Sequence, residues 1–126
     1  IIRKIDNIYF NYDYIGAPWS NIKHKHGGNG GFSLRRIKKM LETTSNNTEL
    51  SKISGSKPNE DLFFSFLEDY NYCNNRKLHK AFSVETEYCD NPIGIHKPYF
   101  INLNDNEFNN ILSYINNNLI RTNMTF

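Results

Sequence analysis

Four glycines in five positions, Gly27-Gly28-Asn29-Gly30-Gly31, constrain this chain of 126 residues more than any other feature. Without a Cβ, the backbone there can approach another group closely or adopt positive φ. The stretch leads into Phe32 and Ser33, after which Leu34, Ile37, Met40 and Leu41 recur at helical spacing. Ser33 is a favourable N-cap, so the pattern predicts a polar loop over 20–31 feeding a helix that starts at Ser33. Exposed amides and the helix dipole at such a junction suit a phosphate. Neither the P-loop nor the dinucleotide fingerprint is present, because the loop lacks Gly-Lys-Ser/Thr and G-x-G-x-x-G. On these residues alone, a ligand loop and a flexible surface loop are both open.

The rest of the chain alternates short strand and helix signals. Residues 1–15 hold a short helix or strand leading to Tyr12-Asp13-Tyr14-Ile15, which reads as a strand ended by Gly16 and Pro18. Residues 43–58, rich in Ser, Thr, Asn, Gly and Pro, form a loop. A second helix is predicted after Pro58, with Asn59 as cap, Glu60 and Asp61 in its first turn, and Leu62, Phe63, Phe66 and Leu67 buried. Residues 73–79 read as loop, 81–85 as strand and 92–99 as a turn-rich segment. A last amphipathic helix over 104–119 carries Phe108, Ile111, Leu112, Ile115 and Leu119 on one stripe. This order is that of an α/β protein, with residues 1–126 as a single domain.

The apolar fraction is only 38%, but 14% of residues are aromatic, and their large buried area per residue supplies a core. A net charge of +2 is too small to argue for nucleic acid. The basic cluster from Lys23 through Arg35, Arg36, Lys38 and Lys39 reads as a solvated helix face beside a loop. Its rival reading is a phosphate-meeting patch, without the interleaved aromatics of single-strand binders. Cys73 and Cys89, far from CxxC spacing, are expected as free thiols. No apolar run reaches membrane-spanning length and no signal peptide opens the chain, so a cytoplasmic location is expected.

Two further groups carry chemistry. Glu60 and Asp61 in a first helical turn complement the dipole; alternatively, one serves as general base toward a hydroxyl. His96, within Gly94-Ile95-His96-Lys97-Pro98, is held between turn residues. It is a hydrogen-bonded loop histidine, a metal ligand or a phosphate contact. The His24 and His26 pair reads as solvated.

Taken together, Tyr12-Asp13-Tyr14-Ile15-Gly16-Ala17-Pro18-Trp19, Gly28-Asn29-Gly30-Gly31-Phe32-Ser33-Leu34-Arg35, Glu60-Asp61 and Gly94-Ile95-His96-Lys97-Pro98 resemble the DUF5672 domain in order and spacing. That is a glycosyltransferase-like family of bacteria, fungi, protists and large DNA viruses. A looser likeness reaches GT-A nucleotide-sugar transferases of the β-1,4-galactosyltransferase type. The resemblance implies the C-terminal part of a GT-A-like, Rossmann-like domain that moves a hexose from a nucleotide-sugar to a glycan or other hydroxyl acceptor. Carried over, Asp61 or Glu60 is the base. Gly30, Gly31, Phe32, Ser33, Trp19 and Lys97 contact substrate, and His96 lies at a divalent metal, Mn²⁺ or Mg²⁺, near the diphosphate. The Asp-x-Asp motif of such enzymes is absent, and position 1 is Ile rather than Met. The expectation is therefore that the nucleotide-binding half precedes this segment. The rival expectation is a catalytically silent carbohydrate-binding or structural module; no nucleic-acid partner is expected.

Overall fold

The computed structural model describes residues 1–19, 27–45, 59–97 and 103–123, with the side chains of 118–123 excepted. Lys23, His24, His26, Pro58, Pro98, most of the predicted 20–31 and 43–58 loops and the Leu119 side chain lie outside the described residues. A 3-10 turn, Asn7–Asn11, leads to strand β1, Tyr14–Ala17, and then to β2, Asn29–Arg35. Helices α1, Ile37–Ser45, and α2, Glu60–Ser65, follow, then α3, Arg76–Phe82. Two short strands, β3 (Ser83–Val84) and β4 (Gly94–Ile95), precede the final helix α4, Asp105–Asn123. β1 pairs with β2 antiparallel and β3 with β4 parallel, giving two small sheets among helices, a mixed α/β arrangement.

β1 organises the interior because it is buried on both faces. Alternate residues of a strand point to opposite sides, and here they feed two apolar clusters. Ile15 joins Tyr9, Cys73, Phe82 and Ile93, with Phe32 and Leu34 of β2 packed against them. Tyr14 joins Phe63, Phe64, Leu67 and Tyr70, with Met40 and Tyr72 alongside. Both clusters lean on aromatic rings: Phe82 lies 5.2 Å from Phe32 and 5.1 Å from Tyr9, centroid to centroid. The His79 imidazole of α3 ties this strand down, its two nitrogens 2.9 Å from the Gly16 carbonyl oxygen and 2.8 Å from that of Cys73. Both cysteines are free.

Several expectations need correction. The helix does not begin at Ser33: residues 29–35 are strand, with Leu34 opposite Ile15 and Arg35 opposite Tyr14. Tertiary pairing with a buried strand overrides the local capping signal there. The helix begins only after Arg36, whose amide donates to the Asp13 carbonyl and whose carbonyl accepts from Met40. Its buried side differs accordingly, with Ile37 73% and Leu41 61% exposed while Thr43 is buried and bonded to the Tyr70 hydroxyl. Arg35 is not on a solvated helix face but on β2, turned inward, whereas Arg36 just before α1 stays exposed while it reaches back to Asp13. Residues 76–82, read as the end of a loop and the start of a strand, are helix α3, capped by the Asn75 side chain on the Lys77 amide. Of the residues expected to be buried in the helix after Pro58, Phe63 on α2 and Leu67 just past its end are buried, Leu62 is half-buried and Phe66 is exposed. On α4, Ile111 is buried while Phe108, Leu112 and Ile115 are exposed.

Candidate functional site

The Gly30–Ser33 stretch leaves the β ladder. Ile15 faces Leu34 and Ala17 faces Asn29, so a step of two residues on β1 is matched by five on β2. Such bulges re-aim side chains and free amides for other partners. Side chains capture those amides here: Gly31 N–H donates to Asn29 Oδ1 at 2.8 Å, and Gly30 N–H to Asp61 Oδ2 at 3.3 Å. Ser33 Oγ donates to the Gly30 carbonyl at 3.2 Å and closes the bulge.

The two glycines are needed because different groups press on each. A Cβ on Gly30 would come within 2.6 Å of Arg35 Nη2 and Glu60 Oε1 and 2.9 Å of Asp61 Cβ. On this side the acidic pair and Arg35 are hydrogen-bonded. Asp61 Oδ1 accepts from the Leu62 amide at 2.8 Å while Oδ2 takes Gly30. Glu60 Oε1 accepts from Arg35 Nη2 at 3.2 Å. The Arg35 guanidinium lies 4.9 Å from the Tyr14 ring centroid and 5.5 Å from that of Phe64, and its Nε donates to Ser33 Oγ. A cation held by two ring faces and a carboxylate is well compensated. Burial pushes the Tyr14 phenol well above its ordinary value against the opposing pull of Arg35, and its hydroxyl donates to the Gly28 carbonyl.

The other side is not complete. A Cβ on Gly31 would fall onto Cε1 and Nδ1 of His96, closer than any real contact, so the imidazole edge lies against bare backbone. Reciprocally, Gly94 leaves room for the Phe32 ring. The His96 amide donates to the Val84 carbonyl, extending the parallel β3–β4 pairing by one residue. That extension brings Glu85, just past β3, beside His96, with Glu85 Oε2 3.3 Å from Nδ1. Glu85 is only 4% exposed. The distance is that of an ion pair, yet the alignment is not that of a hydrogen bond. Glu85 Oε2 and His96 Nδ1 are both buried without a hydrogen-bond partner among the described residues. The next residue, Lys97, has φ of +46°, a left-handed conformation unusual for a side-chain-bearing residue.

Gly30, Gly31, Phe32, Ser33, Glu60, Asp61 and His96, nominated from separate blocks of sequence, therefore meet at one bulge. Trp19 lies just past β1, where its carbonyl accepts from Arg76 and the neighbouring Pro18 carbonyl accepts from Thr86. Sequence reasoning missed Glu85. A carboxylate closing a predicted strand was visible, but its partner is set by the register of β3 on β4, which no local pattern encodes. A hollow of about 380 Å³ between Phe66 and Asn74 lies beyond the C-terminal end of α2, away from Gly30 and Gly31.

A family model described as a protein of unknown function, DUF5672, matches residues 2–96. The chain belongs to the DUF5672 family. No curated protein and no solved structure matches it. The DUF5672 match spans β1, the bulge, α2 and the Glu85–His96 pair and ends at His96 itself. Among the described residues no three His, Cys, Asp or Glu side chains gather to hold a metal. His96 and Glu85 offer one nitrogen and one carboxylate, which is not a metal centre. No helix of the described residues is long and apolar enough to cross a membrane.

Proposed function

We propose that this DUF5672 domain carries the reacting side of a sugar-transfer site, moving a hexose from a nucleotide-sugar to a hydroxyl acceptor. The supporting observation is the bulge at Gly30 and Gly31, where an acidic pair and a carboxylate-backed histidine meet bare backbone from two directions. In this reading the donor sugar and diphosphate lie along Gly30–Ser33, with Trp19 and Lys97 at the periphery and His96 facing the diphosphate. A GT-A-like nucleotide-binding half would supply the rest of the donor site. Asp61 or Glu60 takes the proton of the acceptor hydroxyl as its oxygen bonds to the anomeric carbon; the bond from that carbon to the diphosphate breaks, and the diphosphate leaves with its electron pair. Because the described residues do not assemble a metal centre, none of these steps is routed through Mn²⁺ or Mg²⁺.

A second reading has its own support. Both oxygens of Asp61 already accept backbone amides, which suits a structural clamp in a silent carbohydrate-binding module. One experiment separates the two. The full-length protein is incubated with a panel of nucleotide-sugars, with and without glycan acceptors, and release of nucleoside diphosphate is measured before and after chelation. Release that falls at least tenfold in Asp61→Asn or Glu60→Gln supports transfer with that carboxylate as base. Full activity in both ends the base assignment, and glycan binding with no release from any donor establishes the silent module.

A further inference from the structure

We infer that Glu85 is a positioning residue for His96: its buried carboxylate holds the proton on Nδ1 and turns Nε2 toward the substrate. This rests on the reading that places His96 at the reacting site. Four observations carry it. Glu85 is nine-tenths buried and more, and its Oε2 has no hydrogen bond among the described residues. A buried carboxylate oxygen without a hydrogen bond is costly and contributes little stability by itself. The group it faces, at 3.3 Å, is His96 Nδ1, which is likewise buried and unbonded. Finally, Gly31 backs the Nδ1–Cε1 edge and Nδ1 is buried, while the side chain as a whole stays 27% exposed.

The proton on an imidazole is fixed by whatever the other nitrogen meets. With a carboxylate on the buried side, Nδ1 carries hydrogen. Nε2 is then the atom left for substrate: a lone pair for a hydroxyl proton when the ring is neutral, an N–H for a phosphate oxygen when it is charged. The poor alignment of the pair fits a site whose hydrogen bonds tighten when substrate arrives. The left-handed backbone at Lys97, immediately after His96, belongs with such a constrained position.

The test reads the tautomer directly. In ¹⁵N-labelled full-length protein, at a pH where the ring is neutral, the His96 signals are assigned by their loss in His96→Gln. The wild type is expected to show the Nδ1–H form alone. Glu85→Met, which removes the acceptor at similar volume, should give a mixture of tautomers, and Glu85→Gln, whose carbonyl still accepts, should restore the single form. In the transfer assay Glu85→Met should lower kcat about 10–100-fold with KM little changed, and Glu85→Gln should recover most of it. An Nε2–H tautomer in the wild type overturns the assignment whether or not either Glu85 variant folds. An unchanged tautomer in folded Glu85→Met overturns it too. A locked Nδ1–H form in a protein that turns over no nucleotide-sugar supports the Glu85 assignment while removing the sugar-transfer reading.

Discussion

Asp13 and Glu85 are both taken out of water, at 7% and 4% exposure, yet the protein treats them in opposite ways. Asp13 precedes β1 and is fully engaged: Oδ1 accepts from Arg36 Nε at 2.5 Å and Oδ2 from the Asn71 amide at 2.9 Å. Its own amide donates to the Asn71 carbonyl, and its carbonyl accepts the Arg36 amide. This one residue joins β1, the start of α1 and the loop after α2. Among the described residues Glu85 pairs with His96 alone, and at an alignment that forms no hydrogen bond. A buried charge with all its bonds made explains itself as architecture. One without them stabilises little by itself, and its place beside a histidine makes it a candidate for chemistry.

The contrast has measurable consequences of opposite sign. Removing Asp13 should cost most. Asp13→Ala deletes two charge-assisted hydrogen bonds, from Arg36 and from the Asn71 amide, a loss of about 3 kcal/mol. For a chain of this size that is a fall in Tm on the order of 10 °C by calorimetry. A fall of under ~3 °C would mean that Asp13 is no more structural than Glu85, and the distinction would collapse.

Gly31→Ala comes next, and it strikes the other region. The added methyl group would occupy the place of the His96 ring edge, so the imidazole must move by on the order of an ångström. Misplacement of that size can cost about 100-fold in rate with much less effect on stability. Transfer kinetics alongside the melting curve read both quantities. Rates within threefold of wild type would show that the Gly31–His96 contact is packing and nothing more.

Glu85→Met gives a smaller change in stability, in the reverse direction. Glu85 Oε2 has no aligned hydrogen bond to lose, so an apolar side chain of similar volume removes the desolvation cost of that oxygen, about 1 kcal/mol. The Tm should stay level or rise by a few degrees even as turnover falls. A substantial drop would show that Glu85 has partners as binding as those of Asp13.

What the sequence made legible follows the same division. The blocks that meet at the bulge were readable because glycine runs, an acidic first turn and a histidine between turn residues are local signals. The α2 start at Glu60 and the core of aromatic rings were readable for the same reason. The strand character of residues 29–35 was not, because it depends on Tyr14 and Ile15 of β1 offering a ladder to Arg35 and Leu34. Local spacing favoured a helix, and long-range pairing decided otherwise. Nor could Arg35 be recognised as a cation stacked on Tyr14 and Phe64, or Arg36 as the partner of Asp13, since all three partners are distant in sequence. Glu85 was illegible on the same ground. Its neighbour His96 is eleven positions away, and only the parallel register of two-residue strands brings them side by side.

Glu60 supplies the finest test, because it belongs to neither class at the outset. It is exposed, its partner Arg35 is largely buried, and the two are 3.2 Å apart. An ion pair with one end in water contributes about 0.5 kcal/mol, and Arg35 keeps both ring faces and Ser33 when the pair is lost. Glu60→Gln should therefore move Tm by no more than ~2 °C. With stability level, activity alone assigns the residue. A loss of about 100-fold or more would put Glu60, rather than the amide-bound Asp61, in the role of base. Unchanged turnover would leave it a surface partner of Arg35. A large fall in Tm would join it to Asp13 as architecture and leave the Glu85–His96 pair as the chemically unspent part of the bulge.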